Sequence, residues 1–260
     1  MRYTCWIQPS PQAGRAYVPG VQGRSEGRSA TMEKGEGVTM NIQEMLSKSL
    51  TAFDSTRDRS VQVEIGPSQI GGCRRQVYHQ LVDTPETNPN TESLAAILGT
   101  FIHSGLALSI AREDPFGDNF LIEQEFEYNG LKGHCDLYIK DQKAVIDWKT
   151  TKLKSLRYFP STQQRMQVQI YGYLLSANGH QVETVSLVAI PRDGEMAQIK
   201  VHTEPYNEAT ALSGLAWLEE VKAMAESKSA PAPEKDVIFC APYCSYYDAT
   251  GVTGCPSTRR

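Results

Sequence analysis

The stretch Phe120–Thr150, FLIEQEFEYNGLKGHCDLYIKDQKAVIDWKT, decides the fold. Its three runs of apolar and β-branched residues are divided at Asn129-Gly130 and at Asp141-Gln142, so the segment reads as a three-stranded meander with hairpin turns. On a strand, residues two apart share a face. Asp147 and Lys149 of VIDWKTT therefore point one way, and Ile146 and Trp148 point the other way into the core. One strand earlier, His134 and Asp136 share a face and Cys135 takes the opposite one. Carboxylates on neighbouring strands can share a divalent cation, with the lysine ammonium in reach of the same point. That set supplies oxygen ligands for Mg²⁺ or Mn²⁺ and a cation to hold an attacking water or a developing negative charge, the needs of metal-assisted phosphodiester hydrolysis.

Helical periods flank the meander. Upstream, Thr91–Arg112 is a long apolar helix with a threonine cap and an acidic first turn, interrupted by His103. Before it, Asn41–Phe53 places Ile42, Met45, Leu46 and Leu50 at helical spacing, and Ser68 is expected to cap a short helix running through Cys73 to Leu81. Downstream, Phe159–Asn178 is helical, with Gln167 and Tyr171 at i and i+4 on one face. Strands are expected over Gln181–Ile190 and Met196–His202, then a broad helical stripe over Asn207–Ser227. The expected organisation is a disordered tail or upstream sequence over 1–39, a helical segment carrying Cys73 over 40–90, a core over 91–228, and a linker with a cysteine-bearing segment over 229–260.

The 260 residues are enough for one or two domains with a real core. With 40% hydrophobic and 22% charged residues the composition is that of an ordinary globular chain, and no apolar run of about 18 residues offers a membrane span. The first residues lack the apolar stretch of a secretory signal, so a reducing cytoplasm is expected, where six cysteines suggest metal binding before disulfides. A net charge of -4 excludes a uniformly basic coat but not a local basic patch.

An isolated D-x-K is more often a solvated hairpin than a site, and a lone histidine on an apolar helix is more often a core residue. Taken in order, however, GTFIH with His103, GHCD with Asp136, VIDWKTT with Asp147 and Lys149, and QVQIY with Gln167 and Tyr171 resemble the RecB-like branch of the PD-(D/E)XK nuclease superfamily. The resemblance runs from about Pro67 to Cys255. It implies an α/β (α+β) restriction-endonuclease-like core, a mixed central sheet flanked by helices. It further implies that His103, Asp136, Asp147 and the Trp148 carbonyl bind metal, that Lys149 is catalytic, and that Gln167 and Tyr171 organise the site or contact the nucleic-acid backbone. Many members carry Glu where Asp147 stands.

Cys240, Cys244 and Cys255 are spaced C-x3-C-x10-C, and Cys73 lies far upstream. Four thiols are the number that a [4Fe-4S] cluster or a structural zinc requires, and spacing does not separate the two. The arrangement is similar to that of the CRISPR-associated RecB-like nucleases and their phage relatives, in which one cysteine before the core and three after it hold a [4Fe-4S] cluster. Bonds from Cys73 to a tail beyond Pro233 would close a long loop and fix a segment with little core of its own.

Between Trp148 and Val182 stand five basic residues, Lys149, Lys152, Lys154, Arg157 and Arg165, and no acid. Tyr158 and Phe159 interleave with them, as in single-strand binding surfaces, and Arg74 and Arg75 beside Cys73 extend the same track. The expected partner is DNA, with free ends or single-stranded, in a prokaryotic or phage-infected cell. The expected activity is that of an exonuclease in recombination, repair or CRISPR-type processing. A structure-specific endonuclease and a non-cleaving zinc- or cluster-bearing binding module stay open beside it, as do a homo-oligomer and recombination or CRISPR partner proteins.

Overall fold

The computed structural model describes residues 41–55, 65–88 and 94–258. Strands β1 (Phe120–Tyr128), β2 (Leu131–Ile139) and β3 (Ala144–Thr151) form the meander, each antiparallel to the next. At the first turn Asn129 and Gly130 both adopt positive φ, 51° and 76°, the geometry that a two-residue hairpin requires. Lys143 also turns left-handed, so β3 starts at Ala144.

The chain then leaves the sheet through a 3₁₀ turn, Leu153–Tyr158, and helix α4 (Thr162–Ala177). Helix α4 opens with a reciprocal cap: Gln164 N donates to the Ser161 side chain and the Gln164 side chain accepts from Ser161 N. It returns as β4 (Thr184–Pro191) parallel to β3, and β5 (Lys200–Pro205) pairs antiparallel with β4. The result is a five-stranded mixed sheet in the order β1-β2-β3-β4-β5. Helix α5 (Glu208–Glu226) follows, capped by Asn207; α4 packs over one sheet face and α5 packs on α4. There Val168, Ile170, Leu174 and Leu175 meet Val145, Val185, Leu187 and Ala189, with Ala211, Leu218 and Val221 behind them.

Helix α3 (Leu94–Ile110) lies on the other face. Trp148 meets its His103 ring (centroids 6.1 Å apart) and Thr150 lies against Gly99, whereas Asp147 meets Gln167 of α4. Neighbours on a strand alternate, so the two helices cover opposite faces of β3. The remaining helices are α1 (Ile42–Ser55), α2 (Arg74–Leu81) and α6 (Val237–Tyr243).

Two expectations change in detail. Ser68 caps nothing: residues 67–70 make turns, Gly71 adopts φ 74°, and α2 begins only at Arg74 with Cys73 as its N-cap. The strand expected from Met196 begins at Lys200, because Glu195 and Gln198 form a capping box around a short 3₁₀ turn, Met196–Gln198. The Thr91 cap and the 1–39 tail lie outside the described residues. Among the described residues no helix is long and apolar enough to cross a membrane.

Candidate active site

Strands β2 and β3 pair only from Ile139↔Ala144 to Leu137↔Ile146, and past that point their ladder ends. Asp136 and Asp147 are the first residues beyond the last pair. Both are almost fully buried, at 2% and 1% exposure, and Trp148 N donates to Asp136 Oδ2 at 2.9 Å across the opening.

The opening also disturbs β1. Leu121 and Phe126 both pack on the core, as do Cys135 and Tyr138 of β2, odd spacings that strict alternation cannot place on one face. The slip lies at Glu123 and Asp136, which oppose one another between the pairs Ile122↔Leu137 and Gln124↔Cys135 yet do not pair. Glu123 has φ 50°, a conformation rare for a residue with a long side chain. Its side chain is 27% exposed, against 51% for Glu125 and 53% for Glu127.

That kink completes a ligand set. His103 Nδ1 lies 3.4 Å from Asp136 Oδ1 and 4.0 Å from Glu123 Oε1, and one donor atom from each of the three residues falls within 4.8 Å of the others. His103 and Asp136 are the expected residues. Glu123 was hidden from sequence reading, since Glu123, Glu125 and Glu127 alternate like an ordinary solvent face; nothing in the sequence separates the first from the other two. Two carboxylates to one imidazole fit a hard divalent cation such as Mg²⁺ or Mn²⁺.

Beside this triad, Lys149 Nζ lies 3.1 and 2.9 Å from the two oxygens of Asp147. Gln167 Nε2 donates to Asp147 Oδ1 at 3.3 Å and to Tyr171 OH at 3.0 Å. Burial pushes the Asp147 carboxyl up to about 6, and the negative Asp136 adds to this; Lys149 and His103 pull the other way. Asp136, Asp147, Lys149, Gln167, Tyr171 and His103 all line one cavity of about 240 Å³, closed on another side by Gly66, Pro67 and Ser68.

The basic residues divide. Lys152, Lys154 and Arg157 are exposed on the 3₁₀ turn after β3, and Arg157 stacks over the Tyr158 ring at 4.6 Å. Arg165 is instead committed to Glu204 of β5, through Nε at 2.8 Å and Nη2 at 2.6 Å. Arg74 pairs with Glu234 and Glu220 and lies over Trp217, and Arg75 Nη1 donates to Pro231 O.

Among the described residues the four cysteines outside the sheet, Cys73, Cys240, Cys244 and Cys255, are free thiols. Burial pushes the Cys240 thiol up to about 11, with the nearby Cys244, Cys255 and Cys73 adding to it, and the Cys244 thiol rises for the same reasons. Independent bonds join this region to α2 and to the segment that follows it. Arg74 N donates to Glu234, Thr87 N and Asn88 N to Ser245 O, Asn88 Nδ2 to Ala241 O and Cys244 O, and the His79 ring stacks on Tyr246. The ten residues between Cys244 and Cys255 fold back on Asp248, whose carboxylate accepts from Thr250, Thr253 and Gly254 and is held far below the usual range by those bonds.

Fold and site together define a carboxylate and histidine cluster that could hold a divalent metal in the gap of a mixed sheet, the class of site on which nucleases are built. The sequence model of the PD-(D/E)XK nuclease superfamily matches residues 107–249, more than half of the chain, and the chain belongs to that superfamily. Among solved structures, SSO0001 is 23% identical with a TM-score of 0.54 over 84% of this chain and 98% of that one, a shared fold. An alkaline exonuclease from Laribacter hongkongensis is 12% identical (TM-score 0.41, covering 70% and 95%), and a phage-related exonuclease from Haemophilus somnus is 11% identical (0.40, covering 60% and 93%). No curated protein matches the sequence significantly.

Proposed function

We propose that this nuclease is a metal-dependent DNA exonuclease acting on free ends or single strands, with a structural [4Fe-4S] cluster tying its chain ends together. The observation that carries the catalytic reading is the meeting of His103, Glu123 and Asp136 beside the buried Asp147–Lys149 pair in one cavity. His103, Glu123 and Asp136 would hold the cation, with Asp147 and the Trp148 carbonyl as further oxygen ligands. When bound, Mg²⁺ or Mn²⁺ supplies a Lewis acid at the phosphoryl oxygen and an acidified water. Lys149 Nζ holds the attacking oxygen near Asp147 and offsets the negative charge that grows on the phosphate. Gln167 orients Asp147 through its amide, and Tyr171 fixes Gln167. Lys152, Lys154 and Arg157, with the Tyr158 ring, form the strand track leading away from the site.

For the cluster, the supporting observation is that burial, and after it the neighbouring thiols, raise the ionisation cost of Cys240 and Cys244 while the backbone around them is already joined. A bound cationic centre removes that cost by stabilising the thiolates. The biological setting proposed is recombination, repair or CRISPR-type processing in the cytoplasm of a prokaryotic or phage-infected cell. The test is cleavage of end-labelled linear and covalently closed circular DNA with Mg²⁺, Mn²⁺ or EDTA. Metal-dependent release of nucleotides from linear DNA alone is the expected result; cutting of the circle makes the protein an endonuclease, and binding without cleavage removes the catalytic reading.

A further inference from the structure

A second cavity, of about 430 Å³, opens on the α3 side of the sheet and shares His103 with the active-site cavity. Ala95, Gly99 and Thr100 of α3 form one wall, and Thr150 at the end of β3 and Arg192 just past β4 form the other. No carboxylate lines it among the described residues, in contrast to the acid-rich gap next door. The acid adjacent in sequence, Asp193, is turned to Leu153, whose N–H it accepts at 2.7 Å.

Arg192 is fixed at both ends. Its backbone N–H donates to Thr151 O at 2.9 Å, and its Nη1 donates to Ala95 O at 2.8 Å. A guanidinium anchored by one bond keeps the remaining donors of its fork for a ligand, in a fixed orientation that matches phosphate oxygens. Gly99 serves the same wall: a Cβ there would come within 3.0 Å of Thr150 Oγ1, so glycine lets α3 approach without pushing on that hydroxyl.

We infer that this cavity is a phosphate subsite, in which Arg192 and the Thr100 and Thr150 hydroxyls hold a phosphate of the strand next to the one that is cleaved. The inference rests on the nuclease reading above and adds to it a direction: the strand crosses from the α4 face, through the gap, to the α3 face. A phosphodiester polyanion gains nothing electrostatically from two buried acids, so an acid-free, arginine-bearing cavity that shares His103 with them is where its neighbouring phosphate is stabilised. The bound group is either an internal phosphodiester or a terminal phosphate, and the two have the same chemistry at Arg192.

The test is equilibrium binding in EDTA, with the full chain and its Arg192→Ala and Arg192→Lys variants, against three single strands: 5′-phosphorylated, 5′-hydroxyl and circular. Arg192→Ala is expected to weaken binding about 10-fold or more and to flatten the slope of log affinity against log salt by about 0.7, one phosphate contact. Arg192→Lys should keep the slope and recover only part of the affinity. A loss on all three strands assigns an internal phosphodiester, and a loss on the phosphorylated strand alone assigns a terminal phosphate. Unchanged affinity and slope in Arg192→Ala overturn the subsite. Because binding is read without metal, a wild-type protein that binds but never cleaves removes the nuclease reading and leaves this comparison standing.

Discussion

The sheet gap and the cysteine region solve the same problem, bringing ionisable groups together, by different means. At the gap, five elements of regular structure hold the side chains. His103 comes from α3, Glu123 from β1, Asp136 from β2, Asp147 and Lys149 from β3, and Gln167 and Tyr171 from α4. In the cysteine region one cysteine occupies the N-cap position of a short helix without a side-chain capping bond, and the others sit on a seven-residue helix containing Pro242 and on loops that fold back on Asp248. The first site is positioned by the core, and the proposed metal would serve its chemistry. The second is positioned by few bonds, and the proposed cluster would supply its order. A site built on packed strands keeps its geometry when emptied, whereas one built on loops makes ligand binding part of folding.

The largest effect expected from this contrast is catalytic. Asp147→Ala or Lys149→Ala should lower cleavage by ~10³-fold or more, about 4 kcal/mol of transition-state stabilisation, with an unchanged circular dichroism spectrum. Near wild-type rates in both variants would remove the gap from the mechanism. The cysteine region should respond in the opposite way. Protein purified without oxygen should be brown, and Cys240→Ala should lose the colour and expose residues 229–258 to protease while the sheet stays protected. A colourless protein holding one zinc keeps the joined ends and replaces the cofactor.

Smaller effects sharpen the boundary of the site. Replacing Lys152, Lys154 and Arg157 together by Ala should flatten the salt dependence of single-strand binding by roughly two units, about 0.7 for each lost phosphate contact. An unaltered slope would move the strand to another face. The smallest effect is on stability. Asp147 titrates at about 6 when folded and near 3.8 when exposed, so between these values the folded state holds the extra proton. The stability of metal-free protein should therefore fall as pH rises through that window and level off above about 6. Thermal denaturation in EDTA at steps across it checks this: the difference between wild type and Asp147→Asn should grow with pH and then become constant, and a difference independent of pH would contradict the buried, unmetallated carboxyl.

Much of this was legible in the sequence because it is local. Alternation and Asn129-Gly130 determine the meander, the i, i+4 spacing puts Gln167 beside Tyr171, and the order of four short motifs points to the superfamily to which the chain belongs. What only the tertiary structure decided depends on partners far apart in the chain. Glu123 looks like its neighbours Glu125 and Glu127 until the opening between β2 and β3 breaks the alternation and turns it towards His103. Arg165 belongs by sequence to a run of five cations, yet Glu204, 39 residues on, takes its charge, while Arg192, outside that run, is pinned to α3 by a carbonyl 97 residues away. Backbone periodicity is written in neighbouring residues, but the pairing of a charge is set by whichever side chain the fold brings within hydrogen-bond reach, and no local pattern records that distance.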